Sequence, residues 1–113
     1  MGYYASYTGT LTTKPLPDEI KGKLFEIESF NLHYGKNITE ITFDNYDKYY
    51  PDNWRGKDGF LAIIQPYMIS GEVTFAGEDD YFWCYTYDPE KHGFVEGAGR
   101  IEYDFDEEVM RFE

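Results

Sequence analysis

Acidic side chains are the groups in this sequence whose number and spacing point to chemistry. Thirteen of the 22 Asp and Glu residues fall within residues 69–113, where only three Lys and Arg residues oppose them. Some form a compact run, Glu78-Asp79-Asp80, and others alternate with apolar residues, as in Ile101-Glu102-Tyr103-Asp104-Phe105. Alternate residues of a strand share one face, so this pattern predicts a folded sheet surface of strong negative potential.

A surface of this kind crudely imitates the phosphates of nucleic acid and suits a basic protein surface as its partner. The net charge of −12 opposes direct contact with nucleic acid or with an anionic membrane. We therefore expect a non-enzymatic protein that covers the basic groove of a nucleic-acid-processing partner. The plainer alternative is that the charge only keeps the protein dispersed. The expected contact residues are Glu72, Glu78, Asp79, Asp80, Glu102, Asp104 and Asp106.

Catalytic and metal-binding patterns are weak in this chain. His33 lies near an expected turn and His92 lies in another, both outside any motif, and the sequence lacks the nucleophile-elbow, phosphate-loop and zinc-protease patterns. Acids cluster at Glu78–Asp80 and at residues 44–47, but their spacing is not that of a calcium loop. We expect no catalytic residue, no cofactor and no metal ligand, and whether an acidic turn holds a cation is left open.

A stripe of aromatic residues offers a second functional hypothesis. Tyr81, Trp83, Tyr85 and Tyr87 share one face of a predicted strand and, beside carboxylates, could stack on sugar rings. This predicts, as the alternative, a carbohydrate-binding or carbohydrate-active domain. Aromatic residues at this period most often belong to a core, and that interpretation is favoured for Trp83.

The length and composition indicate one domain, residues 1–113. A chain of 113 residues with 23 aromatic side chains can bury a core without a disulfide or a metal. Cys84 is the single cysteine, and its apolar neighbours predict a small buried side chain rather than a nucleophile. No apolar run is long enough for a membrane span, so we expect a cytoplasmic protein whose oligomeric state the sequence does not fix.

Hydrophobic periodicity places these residues on a sheet with helices inserted early in the chain. The pattern predicts an α+β two-layer sandwich: a mainly antiparallel sheet of about five strands, with two helices on one face, in the order β-α-β-α-β-β-β. The other face then holds the polar residues Thr8, Thr10, Glu40, Thr42, Glu72, Thr74, Glu102 and Asp104. The predicted elements are strand 3–13, helix 17–30, strand 38–44, helix 60–65 and strands 71–76, 81–87 and 94–105.

Two segments, Ile69-Ser70-Gly71-Glu72-Val73-Thr74-Phe75-Ala76-Gly77-Glu78-Asp79 and Tyr3-Tyr4-Ala5-Ser6-Tyr7-Thr8-Gly9-Thr10-Leu11, carry a resemblance, together with Trp83 and residues 99–104. In these the chain resembles small acidic proteins of bacteriophages and mobile elements. The resemblance leaves residues 45–60 unsupported and carries over no site residue. It implies a phage or mobile-element context, in which small acidic proteins often block host defence proteins.

Overall fold

Seven strands form one antiparallel sheet in the part of the chain that the structure describes. The structure is a computed structural model that describes residues 3–100 and 106–109, and the side chains of residues 3–97. The sheet order is β2-β3-β1-β4-β5-β6-β7. The elements are β1 Tyr4–Thr13, α1 Asp18–Ile27, β2 Asn31–Gly35, β3 Ile38–Lys48, α2 Pro51–Arg55, α3 Phe60–Ile64, a 3-10 turn Gln65–Tyr67, β4 Met68–Gly77, β5 Tyr81–Asp88, β6 Gly93–Arg100 and β7 Asp106–Val109.

The α+β class and the antiparallel sheet predicted from the sequence are confirmed, whereas the strand count is not. The sheet has seven described strands rather than about five, because β2 and β7 were not predicted. β2 pairs with β3 through a tight turn in which Asn37 adopts a φ of 62°. Most β2 residues are exposed, so the strand lacks the alternation that would have marked it.

Helices occupy the segments around residues 18–27 and 51–64, and the two prolines beside them, Pro17 and Pro66, lie outside the α-helices. Pro17 precedes α1 in extended conformation, and Pro66 lies within the 3-10 turn that ends α3. Residues 45–59, expected to form a loop or a broken helical turn, are in part a strand, since β3 continues to Lys48, and they contain the short helix α2. His33 lies in β2, close to the turn that joins β2 to β3.

The core consists of inward-facing strand residues and the apolar residues of the helices. Phe43 and Phe75 pack against Trp54 of α2 with ring centroids 5.4 and 5.0 Å apart, and Phe60 of α3 lies 5.5 Å from Phe43. Leu24 of α1 is fully buried in the same cluster. Other inward-facing strand residues of this cluster are Ala5, Tyr7, Leu11, Ile41, Val73, Trp83, Tyr85 and Phe94.

The residues that alternate with these core residues lie on the other side of the sheet, which we call the open face. It is rich in hydroxyl groups: Thr10 of β1 is paired with Thr42 of β3 on one side and with Glu72 of β4 on the other. Thr8 is paired with Asp44 and with Thr74 in the same way. Six residues predicted for the polar face therefore share it, namely Thr8, Thr10, Glu40, Thr42, Glu72 and Thr74. Glu102 and Asp104 lie outside the described residues.

Candidate functional site

The predicted contact acids occupy two separate places in the described part of the sheet. Glu72 is exposed on the open face, opposite Thr10 of β1 and Thr86 of β5. Glu78, Asp79 and Asp80 form the turn between β4 and β5. The backbone of Asp106 begins β7 and is paired with Ala98 of β6. Glu72 and the turn thus belong to the same hairpin, formed by β4 and β5, but they do not form one cluster.

The β4–β5 turn is tied to the start of β1. Asp80 adopts a φ of 62°, and its amide donates to the Gly77 carbonyl over 3.2 Å. The carboxylate of Asp79 accepts hydrogen bonds from the Tyr3 hydroxyl and from the Tyr81 amide. Burial, and then the hydrogen bond to Asp79, raise the pKa of Tyr3 above its ordinary value. Asp79 is therefore held in place, and Glu78 and Asp80 are left exposed beside it.

Ion pairs within residues 3–97 use other acids. Asp18 and Glu19 pair with lysines of α1 at 3.2 and 3.6 Å, and Asp88 pairs with Lys91 at 4.0 Å. Glu96 pairs with Arg55 at 3.2 Å. The described Lys and Arg side chains form no ion pair with Glu72, Glu78 or Asp80. The negative charge of these three carboxylates is therefore not neutralised by an ion pair with a described Lys or Arg.

A pocket of about 530 Å³ opens where the aromatic stripe of β5 meets α2. Trp83 and Tyr85 are 5% and 0% exposed, so the expectation that Trp83 belongs to the core is confirmed. Tyr81 is half-buried. The residues that line the pocket are Tyr3, Tyr49, Pro51, Arg55, Asp79, Tyr81, Trp83, Tyr85 and Glu96. Part of the predicted stripe therefore serves both the core and the wall of a pocket.

Several polar groups converge on this pocket. The hydroxyls of Tyr49 and Tyr85 are 2.5 Å apart, and burial raises the pKa of both groups. The Arg55–Glu96 ion pair lies at the wall. The indole Nε1 of Trp83 is buried and has no acceptor at full hydrogen-bond geometry among the described residues. The indole lies near enough to the Tyr49 hydroxyl to oppose part of the rise that burial causes in the pKa of Tyr49. A buried donor without a well-placed acceptor is costly.

A second cavity, of about 460 Å³, lies at the end of α1. Its half-buried acid, Glu28, accepts from the Tyr7 hydroxyl at 3.2 Å and from the Trp54 indole at 3.1 Å. Burial raises the pKa of Glu28, and the two hydrogen bonds oppose that shift. Asp44 and Asp47 also line this cavity, yet no three His, Cys, Asp or Glu residues among those described are arranged to hold a metal ion.

The remaining reactive side chains lie apart from one another. The Nε2 atom of His33 is 3.4 Å from the Thr42 hydroxyl on the edge of the sheet, and His92 is in the β5–β6 turn with a φ of 55°. Cys84 is half-buried on the open face, opposite Thr74. None of these three lines either pocket.

Sequence reasoning missed Tyr49, Arg55 and Glu96 as lining residues. Tyr49 and Arg55 come from a segment that shows no periodicity, and the packing of α2 against the sheet brings them to β5. Glu96 shared a face with Trp83 and Tyr85 in principle, because it is paired with Tyr85 across β5 and β6. A correct register for the last hairpin would have found it.

Among the described residues, no helix is both long and apolar enough to cross a membrane. Comparison of the chain with models of protein families, with curated proteins and with solved structures gave no match.

Proposed function

We propose that this protein is a non-enzymatic acidic binding protein that covers a basic, nucleic-acid-binding surface of a partner protein. The contact set is Glu72, Glu78, Asp79, Asp80, Glu102, Asp104 and Asp106, of which the last three lie in or beside the segment whose side chains are not described. The proposed setting is the cytoplasm of a host cell infected by a phage or carrying a mobile element. The partner in that setting is a protein of host defence.

One observation carries the proposal: Glu72, Glu78 and Asp80 are exposed, and no described Lys or Arg pairs with them. The acids of α1, in contrast, have lysine partners within one helical turn. Unpaired surface carboxylates repel each other, which costs stability, and a basic partner relieves that cost. The proposal therefore gives a reason for charge that folding alone does not need.

The separation of Glu72 from the β4–β5 turn is compatible with one interface. Residues 72 and 78 are six positions apart along β4 and its turn, or about 20 Å at 3.3 Å per residue. An ordinary protein interface covers about 800 Å² on each partner and can include both ends of that distance. A two-layer arrangement, with the helices opposite the open face, is part of this proposal because it leaves Glu72 accessible.

The test is capture of a partner on the immobilised protein, followed by competition with DNA for the purified partner. We expect binding that weakens steeply when NaCl rises from about 0.05 to about 0.3 M, because screening shortens the range of the field. The triple variant Glu72→Gln, Glu78→Gln, Asp80→Asn should weaken binding about tenfold or more, at a few tenths to 1 kcal/mol per contact. The unmodified protein should displace duplex DNA from the partner.

The matched control is Glu26→Gln, Asp58→Asn, Glu90→Gln, which removes the same charge from exposed positions elsewhere. Binding by this variant should stay within about twofold of the unmodified protein. Equal effects of the two variants would show that net charge, and not the proposed contact set, governs binding. A partner that binds protein and DNA together would overturn the occlusion part of the proposal.

A further inference from the structure

The pocket between β5 and α2 contains a buried hydrogen-bond donor that has no acceptor at full hydrogen-bond geometry among the described residues. The Trp83 side chain is 5% exposed, and its indole Nε1 is that donor. The other indole, Trp54, has an acceptor: its Nε1 donates to Glu28 over 3.1 Å. Since buried N–H groups are almost always paired, the Trp83 donor indicates that something with an acceptor oxygen enters the pocket.

The walls of the pocket combine aromatic surface with groups that bind hydroxyls. Tyr3, Tyr49 and Tyr81 are half-buried, so part of each side chain stays accessible. Tyr49 lies edge to face with Trp83, with ring centroids 4.9 Å apart, which places the tyrosine beside this donor. The carboxylate of Glu96 and the guanidinium of Arg55, 3.2 Å apart, supply an acceptor and several donors at the same wall.

Charge at the wall selects against two other classes of ligand. Two carboxylates, Asp79 and Glu96, and one guanidinium, Arg55, are the charged groups among the described lining residues, which disfavours a phosphate or other anion. A simple cation would suit the aromatic rings but offers no acceptor to the indole. A neutral polyhydroxylated ring offers both donors and acceptors, along with an apolar face that stacks on tyrosine.

From this combination we infer that the pocket binds a neutral saccharide of one or two sugar rings, with a ring or hydroxyl oxygen accepting from Trp83 Nε1. The volume of about 530 Å³ is within the range of small-molecule sites. The acid–guanidinium pair binds vicinal hydroxyls, and the tyrosines contact the apolar face of the ring. This inference goes beyond the proposed protein partner and does not depend on it, because Asp79 is the one residue that the pocket lining and the proposed contact set have in common.

The test is titration of the ¹⁵N-labelled protein with a panel of neutral mono- and disaccharides, followed by nuclear magnetic resonance. The two indole N–H signals serve as probe and internal reference. A sugar that binds as inferred should shift the Trp83 signal downfield in a saturable manner and leave that of Trp54, already bonded to Glu28, nearly unchanged. Tetramethylammonium and inorganic phosphate are the cationic and anionic arms of the panel and should shift neither signal.

Variants separate a specific site from loose association. Trp83→Phe keeps the aromatic ring and removes the donor, and Glu96→Gln removes the charged acceptor. Each should weaken sugar binding about tenfold, as expected when a hydrogen bond to a buried group is lost. Binding by Trp83→Phe is followed through backbone amide signals. Tyr87→Phe, on the same face of β5 but outside the pocket lining, is the matched control and should bind normally.

The inference fails if no sugar in the panel moves the Trp83 signal, if tetramethylammonium or phosphate moves it instead, or if Trp83→Phe binds sugar as tightly as the unmodified chain. Failure here is distinguishable from failure of the proposed protein partner. Sugar binding should survive the triple variant of Glu72, Glu78 and Asp80, and partner capture should survive Trp83→Phe.

Discussion

At the residue scale, Glu28 is the carboxylate most closely built into the core. It follows the last residue of α1, and its two oxygens accept from Tyr7 of β1 and from Trp54 of α2. Trp54 is fully buried, so its indole has no water to replace this acceptor. A single side chain therefore satisfies donors from two other elements and fixes how α1 and α2 meet the sheet.

Replacement of Glu28 should separate its role as an acceptor from its charge. Glu28→Ala leaves the Trp54 donor unpaired and should lower the free energy of unfolding by about 2–3 kcal/mol. Glu28→Gln keeps an acceptor oxygen and should lower it by about 1 kcal/mol at most. Urea denaturation at fixed pH measures both losses. Equal losses in the two variants would contradict the acceptor role.

The charge of Glu28 predicts a pH dependence of known sign. Its pKa is raised in the folded protein above 4.5, chiefly by burial, so between 4.5 and the folded pKa the native state binds more protons than the unfolded state. Stability falls as pH rises through that window. Unfolding free energies of Glu28→Gln and the unmodified protein, measured at intervals from pH 4 to 7, should therefore shift in favour of the glutamine variant as pH increases. A difference that is constant with pH would contradict this.

At the scale of elements, β1 is an interior strand between β3 and β4, and its fit to β4 depends on two glycines. Gly9 has a φ of +150°, and a Cβ there would lie 2.2 Å from the Glu72 carbonyl oxygen. Gly71 has a φ of +123°, and a Cβ there would lie 2.3 Å from the Thr10 carbonyl oxygen. Each glycine thus lets one strand approach the backbone of the other just where the pairing is densest.

Two Gly→Ala substitutions should change the free energy of unfolding in opposite directions. Gly9→Ala should lower the free energy of unfolding by about 3 kcal/mol or more, because backbone atoms of β4 cannot move aside cheaply. Gly22→Ala, in α1 with nothing within 4 Å of the added methyl, should raise it by about 0.5–1 kcal/mol. Denaturant midpoints give both values. A mild effect of Gly9→Ala would mean that β1 and β4 are paired differently.

Sequence patterning predicted the elements that carry a strong period and missed those that do not. The inward parity of β1 followed from alternation, whereas the sequence favoured Trp83 for the core without fixing which face of β5 points inward. β2 was missed because most of its residues are exposed. α2 was expected only as a loop or a broken helical turn, because Pro51 and Gly56 interrupt any period there. Gly97 and Gly99 of β6 pair in register with β5, whereas a register shift lies between Thr12 and Thr13 of β1.

The residues that line the candidate pocket could likewise be predicted only in part from the sequence. The sequence favoured Trp83 for the core, and burial of that side chain is confirmed. Arg55 and Tyr49 reach the pocket through tertiary contacts that have no local signal: Trp54 of α2 packs near Tyr85 of β5, and the Tyr49 amide donates to the Tyr3 carbonyl. The surplus of acid in residues 69–113 was visible in the sequence, but its division between the open face and a turn required coordinates.

At the scale of the whole molecule, the net charge of −12 sets how the protein responds to salt. Ion pairs within residues 3–97 hold only some of the acids, and repulsion among the rest opposes the compact state. Added salt screens that repulsion over a distance of about 10 Å at 0.1 M. Net repulsion outweighs the few attractive pairs, since exposed ion pairs contribute little.

We therefore expect the melting temperature to rise as NaCl increases from about 0.02 to about 0.3 M, because the screening length shortens over this range and weakens the repulsion. The triple variant Glu72→Gln, Glu78→Gln, Asp80→Asn should melt a few degrees higher at low salt and respond less to salt, because it removes unpaired carboxylates. Asp18→Asn is the contrasting variant: it removes an acid that pairs with Lys21 at 3.2 Å, so its melting temperature should not rise. Calorimetry at three salt concentrations measures all three proteins. If the triple variant melted lower than the unmodified protein, its carboxylates would be stabilising the fold, and their presence would need no partner to account for it.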